Sequence, residues 1–169
     1  MSKSMTIYKF IIPTLFIFLI ACEKAPQVEM PKPQTLTREA SGYYCLMTVL
    51  YHRGPKGQII LDDKSEALWF TSVRDTIAFT LSPEEPRNIA AIYVNDMTDA
   101  NWDNPGEDNW IDASKAWYVT GSKLMGGMGA PEAVPFATKE KAELFAKEQG
   151  GNVYNLASIP KEYIQNTAQ

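Results

Sequence analysis

Phe70-Thr71-Ser72-Val73-Arg74-Asp75-Thr76-Ile77-Ala78-Phe79 and Phe136-Ala137-Thr138-Lys139-Glu140-Lys141-Ala142-Glu143-Leu144-Phe145 are two versions of one pattern. Each opens on an aromatic, places a hydroxyl residue two positions later and closes on a second aromatic nine positions after the first. Ser72 and Thr138 suit helix N-caps, because a short side-chain oxygen can accept from the free N–H groups of a first turn. Asp75 strengthens the first start in the manner of a capping box. Gly150-Gly151 stops the second helix, since glycine takes the left-handed conformation there without steric cost.

Short strand-like runs surround both helices. Before the first come Tyr43 to Tyr51 and Gln58 to Leu61, joined through Gly54-Pro55-Lys56-Gly57, whose proline second and glycine fourth suit a type I turn. After it comes Asn88 to Val94. The second helix is preceded by Lys115 to Thr120 and Ala133 to Phe136, and followed by Asn152 to Leu156. Both halves therefore read strand–strand–helix–strand. The expected class is α+β, with two related ββαβ units, each a small sheet carrying one helix.

The ends are read from composition. Residues 1–21 have an export signal's layout: Lys3 and Lys9, an apolar run from Phe10 to Ile20, then Ala21. That run is shorter than the ~20 residues a membrane-spanning helix needs, so a cleaved signal peptide is the expectation. Leu19-Ile20-Ala21-Cys22 resembles the bacterial lipobox, in which the cysteine is acylated and becomes the first mature residue. Lipidation is therefore expected at Cys22, in the cell envelope on the periplasmic side. Glu23 stands where aspartate would favour inner-membrane retention, which points to the outer membrane. Residues 22–41 are polar with Pro26, Pro31 and Pro33, and read as a tether. The expected units are 42–95 and 113–160, joined by an acidic connection at 96–112 and followed by a tail at 161–169.

The 169-residue chain carries a formal net charge of −4, and losing Lys3 and Lys9 makes it more acidic still. This argues against nucleic acid as a partner, since phosphate binding draws on clustered Lys and Arg. The connection holds Asp96, Asp99, Asp103, Glu107, Asp108 and Asp112 without a base. Asp99, Asn101 and Asp103 open like a calcium loop, but Asn104 replaces the required glycine and Trp110 the closing glutamate. A solvated acidic connection with Trp102 and Trp110 turned inward fits better.

Sulfur carries the remaining chemistry. With Cys22 lipidated, Cys45 has no partner for a disulfide in an oxidising compartment. Cys45 and Met47 are two apart on an expected strand and would face the same side. Thiolate and thioether donors suit Cu(I). Spacing alone nevertheless favours Cys45, Met47 and Val49 as a plain inward row, because both sulfur residues are ordinary core material. His52, the only histidine, has the wrong parity to join them on a straight strand and reads by default as surface or hydrogen-bonded. Met125 and Met128 lie in Leu124-Met125-Gly126-Gly127-Met128-Gly129, which suits a mobile clasp or a disordered loop equally. The single thiol–imidazole pair, seven residues apart with no third group, does not resemble a hydrolase site. No glycine-rich phosphate loop precedes a helix.

Several of these motifs, taken in order, resemble the NosL family of copper-binding lipoproteins that assist assembly of nitrous-oxide reductase. They are Tyr44-Cys45-Leu46-Met47, His52-Arg53-Gly54-Pro55-Lys56-Gly57-Gln58, Ile111 to Val119, Met128-Gly129, Val134-Pro135-Phe136 and Gly150-Gly151. The resemblance runs from about Gly42 to Ile159. It implies two ββαβ units and Cu(I) bound by Cys45 and Met47, with Met128 matching the methionine before the Pro-Phe segment. It also implies a non-enzymatic carrier that delivers copper to the reductase or its assembly machinery. His52 and Met125 are reserve ligands. Leu46 stands where the family often has glycine, and Gly127 where proline is common. The family's fold is similar to organomercurial lyase, but that enzyme needs a second active-site cysteine, which the mature body lacks. The contrasting expectation is a lipoprotein interaction module in which Cys45 is structural.

Overall fold

A computed structural model describes residues 29–165. The signal segment and Cys22 lie outside the described residues. Two antiparallel sheets carry the fold. The first uses β1 (Gly57–Leu61), β2 (Leu68–Phe70), β3 (Ile89–Asn95) and β4 (Trp110–Asp112), in the order β2-β1-β3-β4. Helix α1 (Val73–Leu81) connects β2 to β3. The second uses β5 (Trp117–Met125), β6 (Pro131–Phe136) and β7 (Asn152–Asn155), in the order β6-β5-β7, with α2 (Lys139–Gln149) between β6 and β7. In each unit the first strand is flanked by the second and third, and the helix sits on the same connection. The protein is α+β, built from two ββαβ units of one topology.

Local chemistry explains both helices. Ser72 and Thr138 are the N-caps, their side chains accepting from the Asp75 and Lys141 N–H groups. Gly150 closes α2 at φ 78°, a backbone conformation that an L side chain rarely takes. A short α3 (Lys161–Gln165) follows a 3-10 turn at Leu156–Ser158.

The first unit departs from the sequence reading at its opening strand. Tyr43 to Tyr51 is not a strand. Gly42 makes a single bridge to Trp69, after which the chain turns and ends in a 3-10 turn at Val49–Tyr51. The first two strands of this unit are instead β1 and β2, and Gly57 opens β1. The turn region uses its own hydrogen bonds. Leu46 N–H donates to the Gly42 carbonyl at 2.8 Å, and Gly42 N–H donates to the Met47 carbonyl at 2.8 Å. β-Branched and aromatic content fits a pleated surface, but here the backbone groups bond within the loop and to Ala40 and Trp69 in place of a ladder.

Burial on both faces explains why β1 ends on the apolar run Ile59-Ile60-Leu61. Ile59 and Leu61 face Phe70 and Phe79 on the helix side. Ile60 faces Leu36, Ala40 and Val49 on the other. Thus residues beyond Pro31, tether-like in composition, lie along the sheet. Gln58, fully buried, fixes them: its amide accepts from Gln34 N–H at 2.8 Å and donates to the Gln34 carbonyl at 2.9 Å. The two units share a core of Val73, Ile77, Val94, Ala113, Tyr118, Ala133 and Ile164. That shared core positions the glycine-rich loop between β5 and β6 against the first unit.

Candidate metal centre

Cys45 lies in the tight loop that replaces the expected strand. Its two chain neighbours are Tyr44 and Leu46, and Leu46 has left-handed backbone. Leu46 has φ 58° and is 79% exposed. Cys45 and Met47 therefore flank a turn and do not share a strand face. The Cys45 thiol packs onto Gly42, where a Cβ would fall 2.5 Å from Sγ. Its other polar neighbour is the Thr71 hydroxyl at 3.9 Å. Cys45 is half-buried, while the Met47 side chain is 43% exposed. The reading of Cys45, Met47 and Val49 as an inward row fails, since only Val49 is buried.

The loop is held from one side by a carboxylate the sequence did not single out. Tyr43 and Tyr44 donate their hydroxyls to the two oxygens of Glu85, at 2.8 and 3.0 Å. Their rings meet edge to face and pack on Phe70. Glu85 raises both phenols above their ordinary value; for Tyr44 burial contributes more.

His52 follows the 3-10 turn. Its Nδ1 lies 3.0 Å from the Thr48 carbonyl. A carbonyl only accepts, so Nδ1 carries the proton and the neutral ring keeps its lone pair on Nε2. This is the arrangement in which histidine serves metals, with one nitrogen oriented by backbone and the other available.

The loop between β5 and β6 closes on itself through Gly126 N–H to the Ala130 carbonyl and Gly129 N–H to the Gly126 carbonyl, both 2.9 Å. It packs on the first unit. A Cβ at Gly127 would fall 2.7 Å from the His52 Cβ and 2.7 Å from the Arg53 carbonyl oxygen. Gly126 also faces Gly54. The absence of side chains at Gly126 and Gly127 is thus a packing requirement, and the glycines bring the loop onto the segment that follows Cys45 and Met47. Met125 and Met128 remain 50% and 49% exposed.

Beneath this junction lie two buried charges. Lys56 donates to the Gly54 carbonyl at 3.0 Å, and burial lowers its pKa to about 8, against the pull of Glu132. Burial pushes Glu132 up to about 7, although one of its oxygens accepts from Ser72 Oγ, Arg74 N–H and Ala133 N–H. Neither residue stands out in the sequence. A glutamate after proline on a strand of unknown facing gives no sign that it points inward.

Among the described residues, no group of three or more His, Cys, Asp or Glu side chains is placed to hold a metal. Asp99 pairs with Lys141 and Asp103 with Arg53. A metal at this surface would therefore draw on methionine. The exposed large apolar side chains concentrate here too: Tyr43, Tyr44, Leu46, Met47 and Tyr51 from one segment, Met125 and Met128 from the other. The half-buried thiol and the exposed thioethers are soft donors of the kind that fits Cu(I), and the His52 Nε2 is a further nitrogen donor.

A family model described as NosL matches residues 33–164. The copper-binding lipoprotein NosL of Achromobacter cycloclastes is 45% identical over 153 residues, 89% of this chain and 79% of that protein. The copper-binding lipoprotein NosL of Stutzerimonas stutzeri is 31% identical over 151 residues, 89% and 78% of the two chains. The crystal structure of the copper chaperone NosL from Shewanella denitrificans superposes with a TM-score of 0.72 at 31% identity, covering 77% of this chain and 96% of that one. The solution structure of apo-NosL from Achromobacter cycloclastes gives 0.50 at 46% identity, covering 68% and 94%.

Proposed function

The chain belongs to the NosL family, and on that premise we propose that it is an exported, lipid-anchored carrier of Cu(I), serving assembly of the copper cluster of nitrous-oxide reductase. Cys45 supplies the thiolate, Met47 and Met128 the thioethers, and His52 and Met125 stand in reserve. Cys22 carries the lipid, and residues 22–41 lead from it to the body. The partner is the reductase or its assembly machinery, reached from the periplasmic side of the envelope, with the outer membrane as anchor. The protein catalyses no reaction; copper is cargo.

The observation that carries this reading is the exposure of the sulfur. A resident metal site buries its ligands, whereas a carrier must let a partner's ligands reach the ion. Here thioethers about half exposed lie on the loop that holds the half-buried thiol and on or beside the glycine-rich loop, which packs on His52, Arg53 and Gly54 a few residues beyond Met47. Accessible donors on an apolar surface suit hand-over between proteins. Thiol deprotonation on loading would make affinity rise with pH.

Competition for Cu(I) against a strong chelator tests this. The wild type should take one Cu(I) per chain, and Cys45→Ala should weaken binding at least ~100-fold with the fold intact, a difference of about 3 kcal/mol. Copper-edge X-ray absorption on Met47→Leu and Met128→Leu should each show one fewer sulfur neighbour. Wild-type competition by Cys45→Ala would leave the thiol a structural group and remove the carrier reading.

A further inference from the structure

Among the described residues, Glu132 is the one buried carboxylate that bonds to both units. Its side chain is 1% exposed. Oε1 accepts from Ser72 Oγ at 3.2 Å and from the Arg74 N–H at 2.9 Å, both at the start of α1, as well as from Ala133 N–H at 2.8 Å. Its own backbone carbonyl accepts from Tyr163 Oη at 2.8 Å. Oε2 is buried without a hydrogen-bond partner and lies against Gly126, where a Cβ would fall 2.7 Å away. An ionised or protonated carboxyl left half unsatisfied in the interior costs stability. Such a group calls for an explanation beyond packing.

Its position supplies one. Ser72 follows Thr71, whose hydroxyl faces the Cys45 thiol. Gly126 is the first glycine of the methionine loop, and Gly127 seats that loop on His52 and Arg53. The contacts run from Cys45 to Thr71, from Ser72 to Glu132, from Glu132 to Gly126, and from Gly127 back to the segment beyond Met47. Glu132 is the member of this circuit that crosses from one unit to the other by hydrogen bonds to the helix end.

We infer that Glu132 is a positioning residue for the methionine loop: by tying the start of α1 to β6 and bearing against Gly126, it fixes Met125 and Met128 relative to Cys45. The copper consequence rests on the ligand set proposed above; the positioning itself does not.

Hydrogen exchange on the copper-free protein tests the positioning. Glu132→Leu keeps bulk but removes the acceptor, and should raise exchange at the Gly126 and Gly129 amides at least tenfold while the Trp117–Thr120 amides keep wild-type protection. Glu132→Gln, which retains the carbonyl acceptor, should restore most of that protection. Gly126→Ala leaves Glu132 intact but drives a methyl group onto Oε2, and should loosen the loop alike. That variant decides the question if Glu132→Leu does not fold. Unchanged exchange in Gly126→Ala, or loosening spread evenly over both sheets, would overturn the inference. Cu(I) affinity then separates the two claims. Gly126→Ala should weaken binding about tenfold in the wild type and not at all in a Met128→Leu background. A loosened loop together with wild-type affinity in Met128→Leu would support the positioning role while removing Met128 from the ligand set.

Discussion

Leu46 carries the conformational burden of the proposed site. An L residue at positive φ places its Cβ against its own carbonyl, at a cost of roughly 1–2 kcal/mol. Leu46 adopts φ 58° and leaves most of its side chain in water, so little burial offsets that cost. The hydrogen bonds that close Gly42 to Leu46 and Gly42 to Met47 hold it there. Glycine would take the same backbone without strain. Leu46→Gly should therefore stabilise the copper-free protein by about 1 kcal/mol, less the extra chain entropy glycine adds to the unfolded state. Chemical unfolding gives the measure, and a destabilised Leu46→Gly would mean that the leucine side chain makes contacts that outweigh the strain. Only the family resemblance marked Leu46 as unusual, and nothing local revealed its backbone. Positive φ is imposed by a loop whose closure depends on the neighbouring sheet edge.

Elements whose logic is local were legible, and those whose logic is tertiary were not. Both helices, both caps and the stop at Gly150 follow from side chains within one turn of the feature they control. Tyr43 to Tyr51 has strand composition yet forms no ladder with the first sheet, which the chain meets at the Gly42–Trp69 bridge just before it. Its pairing partner was never written in its own residues. The buried partners Glu132 and Gln58 escaped for the same reason, since polar letters within strands do not state which face they take, and Lys56 escaped because it stands in a turn sequence that reads as exposed. The two caps look alike in sequence but differ in surroundings. Thr138 is exposed and caps only its own helix, whereas Ser72 is buried and also donates to Glu132. Thr138→Ala should cost about 1 kcal/mol, as an ordinary cap does. Ser72→Ala should cost roughly 2 kcal/mol or more, because it also removes a donor from an interior carboxylate. Equal losses in urea unfolding would show that the Ser72–Glu132 bond contributes nothing beyond the cap.

At the scale of the whole molecule, two buried charges of opposite sign lie where the units meet, and each is destabilising in its ionised form. Burial raises the Glu132 carboxyl from 4.5 to about 7, opposed by its bonds from Arg74, Ala133 and Ser72, and Asp75 adds repulsion. The folded protein therefore binds a proton between those values that the unfolded chain has released. Stability contributed by that proton is fully present below about 4.5 and is lost as pH rises through about 7. Lys56 has the opposite form: burial lowers it from 10.5 to about 8, while Glu132 pulls it back up. Between about 8 and 10.5 the unfolded chain holds the proton and the folded protein does not, so stability rises with pH there. Asp75, also raised by burial, reinforces the acid-side trend. Tyr118 and Tyr44, raised by burial, oppose the alkaline rise only as tyrosine begins to ionise near 10. The unfolding free energy should accordingly pass through a minimum between about pH 7 and 8, on the order of 3 kcal/mol deep on the acid side if Glu132 acts alone. Urea unfolding from pH 5 to 9.5 measures it. Glu132→Gln should abolish the fall between pH 5 and 7 and leave the alkaline rise, and Lys56→Met should do the reverse. A wild-type profile that climbs from pH 5 to 7 would mean that Glu132 is stabilised as the anion, and that the junction beneath the sulfur loops is held by an ion pair with Lys56.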